Sequence, residues 1–136
     1  MKKSGFTLIE ILVTISIIGL LTMIGVTNFR VANQKARDGR RQGDLEQIKA
    51  ALELYRTDEA EYPVDINTGD PIQSPTGTIY MNEVPTDPLT TQDYYYSSDG
   101  ETYALCAALE LDTEGSCGGA SCGTGVTCNY QITSPL

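Results

Sequence analysis

Glu10 is the only charge in residues 6–29, a run of 24 otherwise uncharged and mostly apolar residues. A carboxylate inside such a segment costs several kcal/mol unless a partner neutralises it, so it marks a function rather than a plain anchor. Gly5 stands just before the run. A cut after it would create a positive α-amine at Phe6, four residues and so about one helical turn from Glu10. The bland alternative is that Glu10 snorkels to lipid headgroups from its place near the helix end.

The other residues with chemical potential are four cysteines, 106, 117, 122 and 128, all in the last 31 residues. An even number in a small Gly-rich region reads as two disulfides and an oxidising compartment. A four-thiolate zinc site is disfavoured, because no pair has the two-residue spacing of a zinc knuckle. Four cysteines allow three pairings. Cys106 and Cys128 lie in strand-like runs, which favours a bridge between them, with Cys117–Cys122 closing the loop. Cys106–Cys117 with Cys122–Cys128 is also sterically reasonable.

The chain has no histidine, no nucleophile with a nearby base, no P-loop and no other cofactor motif. That argues against an enzyme, and no cofactor is expected. Charge is strongly zoned. Residues 1–56 hold nine bases and five acids, a net +4, whereas residues 57–136 hold thirteen acids and no base. So acidic a region repels phosphate backbones and is not a nucleic-acid surface.

These groups need elements to position them. The chain of 136 residues has room for one compact domain and one dedicated segment. As a helix, residues 6–29 extend about 36 Å, enough for a bilayer core of about 30 Å. Lys2 and Lys3 precede the run, which puts the N-terminus in the cytoplasm and the cysteines on the far side. A secretory signal peptide would need a small-x-small site after the apolar core, and the sequence after Val26 offers none convincing. A plain anchor explains neither Glu10 nor the leader ending in glycine.

Helical character continues past Arg30, since no proline occurs before Pro63. Leu45, Ile48, Leu52 and Tyr55 fall on one face. Glu46–Lys49 and Asp38–Gln42 are compatible helical neighbours. Gly39 and Gly43 are the weak points, each costing up to about 1 kcal/mol. One helix from about Thr7 to about Tyr55 is expected. Five prolines make residues 57–92 a loop-rich connection. Strands are expected at 94–97, 102–111 and 126–132, with Asp99-Gly100 as a hairpin turn. The Tyr94–Tyr96 triplet reads as strand with alternate rings buried rather than as a sticky patch. The fold class is α+β: a long N-terminal helix whose second half packs on a small, disulfide-braced antiparallel sheet. The divisions are a leader (1–5), an apolar membrane or filament-core helix (6–29), an amphipathic helix (30–56) and a globular head (57–136).

Gly5-Phe6-Thr7-Leu8-Ile9-Glu10, behind a short Lys-containing leader and ahead of an unbroken apolar run, resembles the signature of type IV prepilins and pseudopilins. The resemblance continues through Tyr62-Pro63, Asp87-Pro88, Tyr96, Asp99-Gly100 and residues 103–110, as in the heads of type II secretion major pseudopilins and related short pilins. It departs at Thr27, where many members have a proline, so a helix break between Gly25 and Phe29 is not implied.

The resemblance implies that a membrane-embedded prepilin peptidase cuts between Gly5 and Phe6 and methylates the amine of Phe6. It implies that Glu10 meets the amine of Phe6 on a neighbouring subunit, giving a helical homopolymer. Partners would be other copies, minor pilins, an inner-membrane assembly platform and, indirectly, a cytoplasmic ATPase. The chain would sit in the cytoplasmic membrane before assembly and in an extracellular or periplasmic filament afterwards. The principal expectation is a pilus-like filament subunit. The alternatives are a type II secretion major pseudopilin and, from another class, a monomeric membrane-anchored binding domain. Secretion pseudopilins also bind calcium in a head loop, near the position of Asp99; by residue type alone Asp99 is a turn residue.

Overall fold

The computed structural model describes residues 5–111 and 115–135, without the side chains of residues 24–27. Residues 1–4 of the leader, the side chain of Thr27 and part of the cysteine loop lie outside the described residues. The chain divides into two compact units, residues 1–34 and 35–136.

One helix, α1 (Leu8–Glu59), runs through the first unit and into the second. In the first unit its apolar side chains are exposed, from Leu8 and Ile9 to Phe29 and Val31. In the second unit the expected stripe of Leu45, Ile48, Leu52 and Tyr55 is buried, joined by Ala51. Neither Gly39 nor Gly43 interrupts the helix. Asp38 and Arg41 lie on either side of Gly39, and the ion pairs of Arg41 with Asp87 and Glu110, with the bonds Asp38 accepts from the backbone of Glu110 and Leu111, offset the weak propensity there.

The loop-rich connection contains a small hairpin that composition did not suggest, β1 (Ile72–Gln73) with β2 (Ile79–Met81). The main sheet has the antiparallel order β3 (Tyr95–Ser98), β4 (Tyr103–Ala107), β5 (Tyr130–Thr133). Helix and sheet share one core that also takes in Tyr62, Ile72, Val84, Tyr103, Leu105, Ala107 and Ile132. Tyr94 and Tyr96 pack against it, whereas Tyr95 faces outward. The Asp99-Gly100 turn forms as expected, with Gly100 at φ 88°, where only glycine is free of strain.

Two strands are shorter than the alternation predicts. β4 stops at Ala107, because beyond it the backbone changes partners. Asn129 brackets Leu109 with its side chain, and Asp38 accepts the N–H groups of Glu110 and Leu111. Leu111 is consequently half exposed instead of continuing the inward row. β5 begins only at Tyr130, because Cys128 donates its N–H to Ala120 in the cysteine loop instead of pairing with β4.

The same register corrects the first disulfide expectation. Cys106 stands opposite Gln131, three residues beyond Cys128. The bridges are Cys106–Cys117 and Cys122–Cys128, with Cα separations of 6.3 and 5.2 Å, both within the range a disulfide spans. Together they tie the loop after β4 to the sheet. At Gly123 a Cβ would stand 2.4 Å from the carbonyl oxygen of Thr91, so only glycine lets this loop lie against the segment that leads into β3.

Candidate assembly site

The N-terminal site is built on the first turn of α1. Thr7 is its N-cap: its Oγ1 accepts the N–H of Glu10 at 3.3 Å. Glu10 answers with Oε2, which accepts the N–H of Thr7 and its hydroxyl, each at 2.7 Å. This is the reciprocal capping box, in which two otherwise orphaned helix donors are satisfied at once. The Thr7 N–H belongs to the peptide that links it to Phe6, so the carboxylate is drawn back to the Phe6 end of the helix. Sequence reasoning singled out Glu10 but passed over Thr7, although T-x-x-E before an apolar run is a legible signal.

Phe6 is 85% exposed, and Gly5 has open space around its α-carbon. Further along, the hydroxyls of Thr14, Ser16 and Thr22 donate to the carbonyls of Ile11, Leu12 and Ile18 on their own helix. None of these hydroxyls therefore asks for water, and this surface is chemically suited to lipid or to other apolar helices. The described part of α1 includes an apolar stretch long enough to cross a membrane.

The head is held by a second constellation that sequence reasoning missed. Arg41 is fully buried. Its Nε and Nη2 grip the two oxygens of Asp87 at 2.7 and 3.0 Å. Nη1 reaches Asp38 at 2.8 Å and Glu110 at 3.0 Å, and Nη2 also reaches Gln92 at 3.0 Å. All five guanidinium hydrogens are thus used. Arg37 adds a bidentate pair to Glu110, at 2.6 Å on both sides. Burial opposes the charge of Arg41, yet the bonds from Asp87 and Glu110 outweigh it and raise its pKa. Glu110 is held down at about 2, chiefly by its bond to Arg37 and against some burial. Asp38 thus serves Arg41, not the Gln42 suggested by helical spacing, whereas Glu46 and Lys49 do meet, at 3.6 Å.

Asp99 serves its own turn. Its Oδ1 accepts the N–H groups of Glu101 and Thr102 and the Thr102 hydroxyl. Among the described residues no group of three acidic, cysteine or histidine side chains is placed to hold a metal ion. Calcium favours six to eight oxygens, and the donor set of this turn does not fit such an ion.

Residues 28–126 match the family model of the type II secretion system (T2SS), protein G. The chain belongs to this protein G family. Residues 1–26 match the prokaryotic N-terminal methylation motif, so the two matches together run almost end to end. The chain is 29% identical to the type II secretion system core protein G of Vibrio cholerae, over 96% of this chain and 94% of that protein. It is 32% identical to the core protein G of Escherichia coli K12, over 79% of this chain and 81% of that one. For the Klebsiella pneumoniae core protein G the identity is 32%, over 74% and 78%. No solved structure matches the chain. Protein G is a structural pseudopilin and not an enzyme, and an α+β chain with an apolar N-terminal helix and two disulfides suits that class.

Proposed function

We propose that this chain is the major pseudopilin of a type II secretion system, the repeating subunit of a short periplasmic filament. The single observation that carries the reading is the protein G match over residues 28–126, continuous with the methylation motif over 1–26. At its coarser level, a pilus-like filament subunit, the principal expectation from sequence stands. The relatives favour the secretion member of that class over a long surface fibre.

In this mechanism prepilin peptidase cuts after Gly5 and methylates the amine of Phe6. The apolar half of α1 holds the subunit in the cytoplasmic membrane, N-terminus inside, and places the disulfide-bonded head in the oxidising periplasm. An incoming subunit offers its Phe6 amine, and Glu10 of its neighbour accepts it. The same helix surface then leaves lipid for other copies. Contacts that do not close into a ring generate an open helix. Force comes from an ATPase acting through the inner-membrane platform, and minor pilins begin the filament.

Two measurements on the native host test this. Intact mass should show a chain beginning at N-methylated Phe6, and deletion should abolish export of folded proteins while leaving any surface pili in place. Mature protein that retains residues 1–5, or that stays monomeric in detergent while export continues, would overturn it.

A further inference from the structure

Two features at opposite ends of the head each set an exposed apolar side chain beside charge, of opposite sign in the two. At the end where α1 enters the second unit, a notch of about 420 Å³ is lined by Lys35, Asp38, Gly39, Gln42, Leu109 and Leu111. Gly39 leaves bare backbone there, with open space where a side chain would stand. Leu111 is 47% exposed, and Leu109 lies beneath. Asp38 is already committed to Arg41 and to the backbone of Glu110 and Leu111. The uncommitted charge in the notch is therefore Lys35, which is exposed and has no ion pair among the described residues. Arg40, though exposed, does not line the notch: it lies on the other flank of the helix, where it pairs loosely with Asp44 at 3.6 Å.

At the other end, past the C-terminus of α1, residues 61–65 form an apolar knob between two acids. Val64 is 82% exposed, and Glu61 and Asp65 beside it are exposed as well. The segment is firmly mounted. Tyr62 is buried and donates its N–H to Gly100, while Pro63 accepts the hydroxyl of Tyr96. Within one copy the knob and the notch lie at opposite ends of the helix. From Lys35 to Glu59 the helix rises about 36 Å, so the two cannot meet in the same head.

We propose that residues 61–65 of one copy dock in the Gly39 notch of another, with Val64 on Leu111 and with Glu61 and Asp65 facing Lys35. The occupant is a second copy because the knob is the acid-and-apolar complement of the notch and no base follows Arg56 anywhere in the chain. Ion pairs between heads must therefore draw on the bases of the helix. A head-to-tail contact of this kind repeats without closing and joins copies offset axially by about 36 Å, the length of helix between its halves.

This contact rests on the filament reading above. The test uses the full chain in its secretion host, scoring filaments as ladders of crosslinked periplasmic subunits, together with mature protein level and the thermal midpoint in detergent. Lys35→Glu should cut filament yield at least about ten-fold by placing like charges together, with level and midpoint unchanged. Glu61→Lys with Asp65→Lys should do the same. All three changes in one chain should restore filaments to within about three-fold of the unmodified chain. Filaments that survive either reversal, or three changes that restore nothing, overturn the contact and leave the filament reading intact. An unmodified chain that makes no filament overturns both.

Discussion

Residues 8–31 and residues 35–135 treat polar groups in opposite ways. In the first region every hydroxyl described bonds to its own helix, the one carboxylate closes its own cap, and the apolar side chains are left exposed. In the second, apolar side chains are buried, and a complete guanidinium is buried with them, spanned by carboxylates from three parts of the chain. The head supplies its own partners. The first half of α1 is finished only by lipid or by other copies. The difference predicts where a substitution registers, as stability in one region and as assembly in the other.

The largest expected effect is at Arg41. Arg41→Ala strands Asp87 and Asp38 and should cost about 3–5 kcal/mol of head stability, the usual penalty for breaking a buried ion pair. Arg30→Ala, in the first region, should stay within about 0.5 kcal/mol. Urea unfolding of the full chain in detergent, followed by tyrosine fluorescence, measures both. Equal effects would erase the distinction between the regions.

Removing one bridge by Cys122→Ala with Cys128→Ala should cost about 2 kcal/mol on the same assay. Peptide mapping without reductant should return Cys106 joined to Cys117. A Cys106–Cys128 peptide would contradict the observed strand register.

Acid sharpens the comparison further. Glu110 titrates near 2 in the folded head against an ordinary value of 4.5. As pH falls below that ordinary value, the unfolded chain takes up the proton first. The stabilisation is therefore complete above about pH 5 and is lost progressively toward pH 2. Unfolding free energies of the native chain and of Glu110→Gln should differ at pH 7 and converge across that window. A constant gap would remove Glu110 from the clamp. The smallest effect is expected at Thr7→Val, which should loosen the first turn of α1 by about 1 kcal/mol, read by amide exchange in micelles, without moving the head midpoint.

Much of this was legible in the sequence because it is local. The apolar run, the stripe of Leu45, Ile48, Leu52 and Tyr55, the Asp99-Gly100 turn and the leader motif all lie within a few turns or strand lengths. The Arg41 clamp was not legible, since Asp87 and Glu110 lie 46 and 69 residues away and no spacing rule brings them together. The bridge pairing failed for the same reason. Alternation told which residues face inward but not which residue of β5 stands opposite Cys106. Leu111 shows the limit of alternation too, because Asp38, far away in sequence, takes its N–H and ends the inward row.

Assembly by this mechanism depends most heavily on Glu10 as the acceptor for a neighbour's Phe6 amine, and Glu10→Gln in the native host tests it most directly. The neutral amide crosses the membrane more easily than the charge, by roughly 2.5 kcal/mol or more at depth, and the head is untouched. Cells should accumulate mature, membrane-held subunit cut after Gly5, with filaments reduced to few or none. Wild-type numbers of filaments built from the mutant subunit alone would contradict the pairing and leave Glu10 with no role beyond capping its own helix.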